Sequence, residues 1–293
     1  MILVVGATGL LGGEICRLLT ARAQPIRALV RASSDPEKVE SVRSLGVELV
    51  IGDVKQPATL TPACEGVDTV ISTATSTTSR REGDTIESVD RDGQLNLVES
   101  AREAGVIRFV YISFPEFDVE FPLQTAKRLV EQRIRESGSG YTILRPTNFM
   151  EVWLTPRLGF DPVNGQAQVY GSGDKKVSWI SFRDVATFAV EAPTNSAARD
   201  AVIDLGGPEP LSPLEVVRIF EEETGRDCEV THVPEEALEA QRASSTDSLE
   251  QSFAGLMLGT AREGQTIDME PVLRDFPRQL TSVRDFASAL ARV

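Results

Sequence analysis

Residues 2–12, ILVVGATGLLG, decide the fold class of this 293-residue chain. The apolar run Ile2–Val5 is typical of a buried strand, and it breaks directly into glycines at positions 6, 9 and 12. Gly6 allows a tight turn, Gly9 lets backbone amides approach a phosphate, and Gly12 lets the following helix pack closely. The N-terminus of that helix offers unpaired N–H groups to an anion. The stretch predicts a dinucleotide site, but the same glycines can also mark a plain strand-to-helix turn.

Strand-like and helix-like segments alternate after this stretch, which is typical of a parallel sheet covered by helices. We predict strands at 2–5, 26–30, 47–51, 68–72, 109–113 and 141–144, with helices at 11–22, 36–45, 93–104 and 124–137. Beyond Pro146 we predict loops and short strands over 153–178, a helix at 182–191, a strand at 201–205, a helix opened by Ser212 and a helical tail from 235. The alternation predicts an α/β protein with a doubly wound parallel sheet.

Charge and cysteine usage restrict the possible partners. The chain has 30 basic and 44 acidic residues, a formal net charge of −14. Nucleic acid or an anionic membrane would require a basic face, so we expect neither as the main partner. Cys16, Cys64 and Cys228 are scattered without metal-ligand spacing, and Cys16 falls on the apolar side of the first helix. With no bilayer-length apolar run and no signal segment, we expect a cytoplasmic protein without a metal site.

The residue after the second strand indicates which dinucleotide binds. In NAD-binding units an acidic side chain there holds the ribose hydroxyls, whereas this chain has Arg31. A guanidinium can pair with a 2′-phosphate and stack on adenine, so we expect NADP(H) ahead of NAD(H), unless Arg31 is only a solvated residue. Asp53 and Val54 follow the third strand, and Thr73, Ala74 and Thr75 follow the fourth. All of these positions lie at the carboxyl edge of the sheet, where ligands bind in open α/β folds.

These segments resemble the NmrA-like branch of the atypical short-chain dehydrogenase/reductase superfamily. The resemblance rests on VVGATGLLG at 4–12, LVRAS at 29–33, GD at 52–53, RFVYIS at 108–113, YTILRP at 141–146, DVA at 184–186 and GGPEPLSPLEV at 206–216. It implies a Rossmann domain over residues 1–150, which also includes residues 182–206. Residues 151–181 and 207–293 would form a smaller substrate-binding α/β domain. The resemblance also implies either an NADPH-dependent reductase of quinone or isoflavone type, or a nucleotide-binding regulator that catalyses nothing.

The predicted cofactor site combines the glycine turn, the strand ends and residues that the resemblance adds. Its members are Gly6, Thr8, Gly9, Leu10, Leu11, Gly12, Arg31, Asp53, Val54, Thr73, Ala74, Thr75, Lys127, Pro146 and Asn148. The predicted substrate pocket consists of aromatic residues that could equally be ordinary core, namely Phe114, Phe149, Trp153 and Trp179. His232, the only histidine, is expected to be structural.

The catalytic prediction centres on Lys127. In typical short-chain dehydrogenases a Tyr and a Lys lie one helical turn apart, and the Lys holds the nicotinamide ribose and lowers the Tyr pKa. Here Leu123 occupies the Tyr position, while Lys127 remains. Ser113 at a strand end could orient a substrate or a water, although Phe114 stands where the family often has a second Ser. Lys127 and Ser113 are therefore the catalytic candidates, with a solvated lysine and an ordinary strand-end hydroxyl as the alternatives.

We therefore expect an NADPH-dependent oxidoreductase that reduces a small aromatic or quinone-like carbonyl compound. A hydroquinone can take protons from water, so a quinone reductase tolerates the missing Tyr. The same missing Tyr motivates an alternative, a non-catalytic NADP-binding regulator or assembly factor. Non-redox chemistry in the same cleft is a third possibility that no residue selects. The expected partner is a small-molecule substrate, with no nucleic acid and no membrane, and the protein is expected to be a monomer or a homodimer.

Overall fold

The computed structural model describes residues 1–77 and 81–291, and it confirms the predicted α/β fold. The strands are β1 Ile2–Val5, β2 Ile26–Val30, β3 Glu48–Ile51, β4 Thr69–Ser72, β5 Arg108–Ile112, β6 Gly140–Pro146, β7 Phe160–Asp161, β8 Gln166–Tyr170, β9 Ala201–Leu205 and β10 Glu229–Val233. Within the described residues, seven of them form one sheet in the order β3-β2-β1-β4-β5-β6-β9. All strand pairs from β3 to β6 are parallel. The order β3-β2-β1-β4-β5-β6 is that of a dinucleotide-binding fold.

Helices lie between the strands as far as β10, and the later helices follow β10. The helices are α1 Leu10–Ala21, α2 Pro36–Arg43, α3 Pro57–Cys64, α4 Asp92–Glu103, α5 Pro122–Glu136, α6 Met150–Trp153, α7 Phe182–Glu191, α8 Pro213–Thr224, α9 Glu235–Ser244, α10 Ser248–Glu263, α11 Glu270–Asp275 and α12 Val283–Ala291. A π-helical turn, Ile86–Arg91, leads directly into α4. The sequence pattern predicted neither α3 nor this turn, because α3 contains Pro62 and the turn is too short to show helical periodicity.

Contacts divide the chain into two compact units. The first comprises 1–113, 122–144 and 185–203, and the second comprises 114–121, 145–184 and 204–293. The domain boundaries expected from the sequence differ from these ranges at 114–121, 145–150, 182–184 and 204–206. The assignment of a substrate-binding domain stays a prediction. Across residues 1–77 and 81–291, no helix is both long and apolar enough to cross a membrane.

The core of the first unit lies between the sheet and its covering helices. Leu3, Val70 and Phe109 on the strands are buried against Leu97 and Ile134 on α4 and α5. Cys16 is buried on α1, and burial raises the pKa of its thiol to about 12. This thiol is therefore a small apolar core group and not a reactive site.

The second unit has its own sheet, in the order β10-β8-β7, and its own core. Helix α8 begins with the predicted capping box, in which the Ser212 N–H donates to Glu215 Oε2 at 2.7 Å and the Glu215 N–H donates to Ser212 Oγ at 3.2 Å. The helix ends at Gly225 in the left-handed conformation. Phe220 of α8 packs edge-on against Phe160, with ring centroids 4.9 Å apart. The capping residues and the apolar face of α8 therefore fix its place on this sheet.

Candidate functional site

The turn after β1 forms an open cradle at the start of α1. Gly6 has a φ of +88°, and its carbonyl accepts the Gly9 N–H at 2.9 Å. Added Cβ atoms would lie 2.5 Å from Thr73 Oγ1 at Gly6 and 2.2 Å from the Gly6 carbonyl oxygen at Gly12, so neither position accepts a side chain. A Cβ on Gly9 would meet only the Gly6 carbonyl, at 3.2 Å. Gly12 therefore permits the close packing of α1 against the glycine turn itself.

The N-terminus of α1 at Gly9 is not capped by a side chain. Gly9 is the N-cap residue of α1, no side chain caps the helix, and its first turn carries no acidic residue. Backbone N–H groups at such a terminus hold phosphate oxygens well. Leu10 is 53% exposed, whereas Leu11 is buried, so Leu11 can reach a ligand only through its backbone. The cradle has the shape and the donors that a pyrophosphate requires.

Residues after β4 complete this edge of the sheet. The Thr73 N–H and hydroxyl both donate to the Val5 carbonyl, at 2.9 and 3.2 Å, and tie β4 to the glycine turn. The Ala74 carbonyl accepts the Gln94 side-chain amide at 2.9 Å, and Thr75 Oγ1 lies 3.2 Å from Thr77 Oγ1. Thr73 and Ala74 thus lie beside the glycine turn, and Thr73 also has a structural function. Contact of Thr73, Ala74 and Thr75 with a cofactor stays a prediction.

Two basic side chains share one buried carboxylate near the end of β2. Arg31 Nη1 lies 2.6 Å from Asp84 Oδ2, and Lys55 Nζ lies 2.7 Å from Asp84 Oδ1. Asp84 is buried, while both cations are partly exposed. Arg81 adds a third basic group whose guanidinium donates to the Ser33 carbonyl. The group keeps a net positive charge, which suits a phosphate. Asp84 and Lys55 were not predicted from the sequence, because 53 residues separate Arg31 from Asp84.

Asp53 and Val54 occupy the loop after β3. Asp53 Oδ1 accepts the Lys55 N–H at 2.9 Å, and the Asp53 N–H donates to Thr59 Oγ1 at 3.0 Å. Val54 is buried, and its carbonyl accepts the Asn96 side-chain amide at 3.1 Å. The Asp53 carboxylate therefore stabilises its own loop. Contact of either residue with adenine stays a prediction.

Lys127 is buried on α5, and its ammonium group contacts three features of the first unit. Nζ donates to the Ile112 carbonyl at 3.2 Å, lies 3.8 Å from Asp90 Oδ1 and lies 4.8 Å from the centroid of the Tyr111 ring. Burial lowers the pKa of Lys127, while the charges of Asp90 and Glu131 act against this shift. The lysine is therefore not the solvated helix residue considered above. Its contact with a nicotinamide ribose stays a prediction.

Asp90 and Tyr111 are buried beside this lysine. Asp90 Oδ2 accepts hydrogen bonds from the Ser76 N–H at 2.9 Å and from Ser76 Oγ at 2.6 Å, but Oδ1 has no hydrogen-bond partner. The Tyr111 hydroxyl is also buried without a partner, and burial, with the charges of Asp90 and Glu131, raises its pKa well above the ordinary value. Tyr111 therefore remains a neutral phenol at physiological pH.

Ser113 follows β5 and is held in one orientation. Its hydroxyl donates to Glu131 Oε1 at 2.6 Å, and its N–H donates to the Leu144 carbonyl at 2.8 Å. Arg128 donates to the same Glu131 oxygen. Because its proton is given to Glu131, the Ser113 hydroxyl can only accept a further hydrogen bond. Glu131 was not predicted from the sequence. It lies on the buried face of α5 with Ala126, Val130 and Ile134, where a carboxylate is unusual and could have indicated a functional role.

The remaining predicted residues lie in the second unit. A cavity of about 50 Å³ is lined by Asn148, Trp153 and Trp179, among others, and neither Phe114 nor Phe149 lines it in the described residues. Phe114 instead stacks on Phe121, with ring centroids 5.9 Å apart. Asn148 is buried with no hydrogen-bond partner for Nδ2, and Pro146 ends β6. The cavity has room for water-sized molecules. The substrate pocket therefore stays a prediction.

Leu123 is buried on α5, so no hydroxyl stands one turn before Lys127. His232 Nδ1 lies 2.8 Å from the Gly171 carbonyl, which is a structural contact. In the described part of the chain, no group of three His, Cys, Asp or Glu side chains could hold a metal ion.

Comparison with known proteins identifies the family. The model of the NmrA-like family matches residues 1–275. The chain belongs to this family. This result confirms the resemblance inferred from the motifs.

The proteins to which this chain is similar carry different functions in their names. The chain is 31% identical to the NAD(P)H azoreductase of Xenophilus azovorans, covering 88% of this chain and 85% of the azoreductase. It is 28% identical to the photosystem II assembly factor Ycf39 of Synechocystis sp., covering 97% of this chain and 89% of Ycf39. The NADPH complex of a quinone oxidoreductase from Escherichia coli has the same fold, with a TM-score of 0.79, 21% identity and 99% coverage of each chain.

Proposed function

We propose that this protein is an NADP(H)-dependent reductase of a small aromatic or quinone-like compound. The open glycine cradle at the uncapped start of α1 is the observation that carries the proposal. The cationic group of Arg31 and Lys55 supports NADP(H) over NAD(H), because it can neutralise a 2′-phosphate. The similarity to an azoreductase and to the fold of a quinone reductase supports reduction as the activity.

In this proposal the chain binds and orients the cofactor, and NADPH supplies the hydride when it is bound. The N–H groups around Gly9 would hold the pyrophosphate, and Arg31 would hold the 2′-phosphate. Lys127 would bind the nicotinamide ribose through its ammonium protons. Ser113 can accept a hydrogen bond from a substrate or a water but cannot donate one while it is bound to Glu131.

Reduction of a quinone does not require a proton donor from the protein. Hydride transfer reduces the quinone to a hydroquinone monoanion, which takes one proton from water to become the hydroquinone. A Tyr at the Leu123 position is therefore not needed. A ketone would need a protein acid at that step. Quinones are therefore the preferred class within the proposed substrates.

The test measures NADPH oxidation at 340 nm with a naphthoquinone, an azo dye and an aromatic ketone. We expect turnover with the quinone, and loss of at least tenfold in kcat/KM in Lys127→Ala. Lys38→Ala, at an exposed lysine of the same unit, is the matched control and should match the unmodified protein. Unchanged turnover in Lys127→Ala would remove Lys127 from the mechanism.

The alternative function is a non-catalytic NADP-binding assembly factor. Leu123 in place of Tyr and the similarity to Ycf39 favour it. Tight NADPH binding without oxidation by any of the three acceptors would select it. A cytoplasmic location and a monomeric or homodimeric state belong to either version of the proposal.

A further inference from the structure

The acidic side chain of Asp90 is the nearest counter-charge to the Lys127 ammonium. Asp90 is completely buried, and its Oδ1 lies 3.8 Å from Lys127 Nζ. We propose that Asp90 is a positioning residue, which holds Lys127 as an oriented ammonium group, so that the functional unit is the pair and not the lysine alone. The catalytic meaning of this pair rests on the proposed function, but the pairing itself can be tested without a substrate.

The backbone around Asp90 is shaped to place its carboxylate. Asp90 lies in the π-helical turn Ile86–Arg91, and such turns are rare and frequently occur at functional sites. The turn is capped at its start by Thr85 and Ser88, each bonded to the other's backbone N–H. Ser76 then fixes Oδ2 with two hydrogen bonds. Oδ1 lies on the side of Lys127 and has no hydrogen-bond partner.

The other groups around Lys127 do not replace Asp90. From β5, the Ile112 carbonyl and the Tyr111 ring contact Nζ, and neither carries a charge. From α5 itself, Glu131 attracts the ammonium and Arg128 repels it. Glu131, however, accepts from Ser113 and Arg128 and lies 3.7 Å from Arg135. Its charge is therefore largely balanced by its own partners, which leaves Asp90 as the main stabiliser of the ammonium.

The physical consequence concerns the proton on Lys127. Burial favours the neutral amine, and the negative charge of Asp90 favours the ammonium. Neutralising Asp90 removes the stabilising charge while the burial remains, so the lysine should lose its proton at lower pH. A neutral amine has one donor fewer for a ribose hydroxyl. As the pH rises, the NADPH affinity of such a variant should begin to fall at a lower pH than that of the unmodified protein.

The experiment follows the protonation of Lys127 directly in the free protein. The chain has only five lysines, so ¹³C-labelled lysine ε-carbons give a spectrum that Lys127→Arg assigns. We expect Asp90→Asn to lower the Lys127 titration midpoint by more than one pH unit. Glu131→Gln should lower it less, and Tyr111→Phe should leave it unchanged. NADPH affinity is measured by fluorescence over the same pH range. Between the Lys127 midpoint of Asp90→Asn and that of the unmodified protein, the affinity of Asp90→Asn for NADPH should weaken at least fivefold.

A second variant keeps the test decisive if Asp90→Asn does not fold. Ser76→Ala removes one of the two anchors of the carboxylate and should lower the midpoint in the same direction by a smaller amount. An unchanged midpoint in both folded variants would overturn the pairing. Because the NMR titration uses no acceptor, absence of any reductase activity would defeat the proposed function and leave the result on Asp90 intact.

Discussion

Gly12→Ala and Gly13→Ala add the same methyl group at adjacent positions of α1, and the structure predicts opposite results. A Cβ at Gly12 would lie 2.2 Å from the Gly6 carbonyl oxygen and 2.7 Å from its carbonyl carbon. A Cβ at Gly13 would lie 3.5 Å from the Ala7 carbonyl oxygen, which is an ordinary contact. The clash at Gly12 is with backbone, so it cannot be relieved by rotating a side chain. Only a shift of the glycine turn can relieve it.

The expected magnitudes follow from helix propensity and overpacking. Alanine in a helix interior is more favourable than glycine by about 1 kcal/mol, so Gly13→Ala should raise the free energy of unfolding by roughly 0.5–1 kcal/mol. At Gly12 an overpacking cost of about 3 kcal/mol exceeds this gain, because both clashes involve backbone atoms. The net loss of about 2 kcal/mol corresponds to a melting temperature lower by roughly 4–8 °C.

Denaturant unfolding and thermal melting measure the two stabilities, and NADPH titration by fluorescence measures the cradle. Gly12→Ala should be less stable and bind NADPH at least tenfold more weakly, because the N–H groups around Gly9 move with the turn. Gly13→Ala should be slightly more stable, with nearly unchanged affinity. Equal stability and affinity in the two variants would refute the close approach of α1 to the turn.

Two further predictions concern a charged group and a buried hydroxyl. Arg31→Ala should weaken NADPH binding by about 10- to 100-fold, the value of charge-assisted hydrogen bonds of ~1.5–3 kcal/mol, and leave NADH binding nearly unchanged; equal losses for both cofactors in parallel calorimetric titrations would argue against contact with the 2′-phosphate. Tyr111→Phe removes a buried hydroxyl without a hydrogen-bond partner, so it should raise the free energy of unfolding by about 1 kcal/mol, whereas Tyr141→Phe, at a half-buried tyrosine, should change it little. A large loss of stability in Tyr111→Phe would show that the hydroxyl has a partner.

The sequence predicted those features that depend on local pattern. β1, the glycine turn and α1 follow from an apolar run, three glycines and a helical period, and the α8 capping box follows from residues three positions apart. The strand order then places Arg31 and Thr73 at the edge that carries the cradle. These features require only short-range information and the topology of one fold class.

The missed features depend on contacts between distant segments. Asp84 joins Arg31 and Lys55 across 53 and 29 residues, and no periodicity signals such a contact. Asp90 lies in a π-helical turn, whose geometry departs from the 3.6-residue period that the sequence pattern uses. The surroundings of Lys127 could therefore not be derived, although the lysine itself could.

Single-turnover reduction tests hydride transfer from bound NADPH most directly. The protein is saturated with NADPH, as verified by calorimetry, and is mixed with an excess of naphthoquinone while absorbance at 340 nm is followed. The proposed reductase function predicts loss of the nicotinamide absorbance in the unmodified protein at a rate well above that of NADPH and quinone alone. Persistence of bound NADPH at the uncatalysed rate, with an azo dye and an aromatic ketone as well, would contradict the proposed reductase activity.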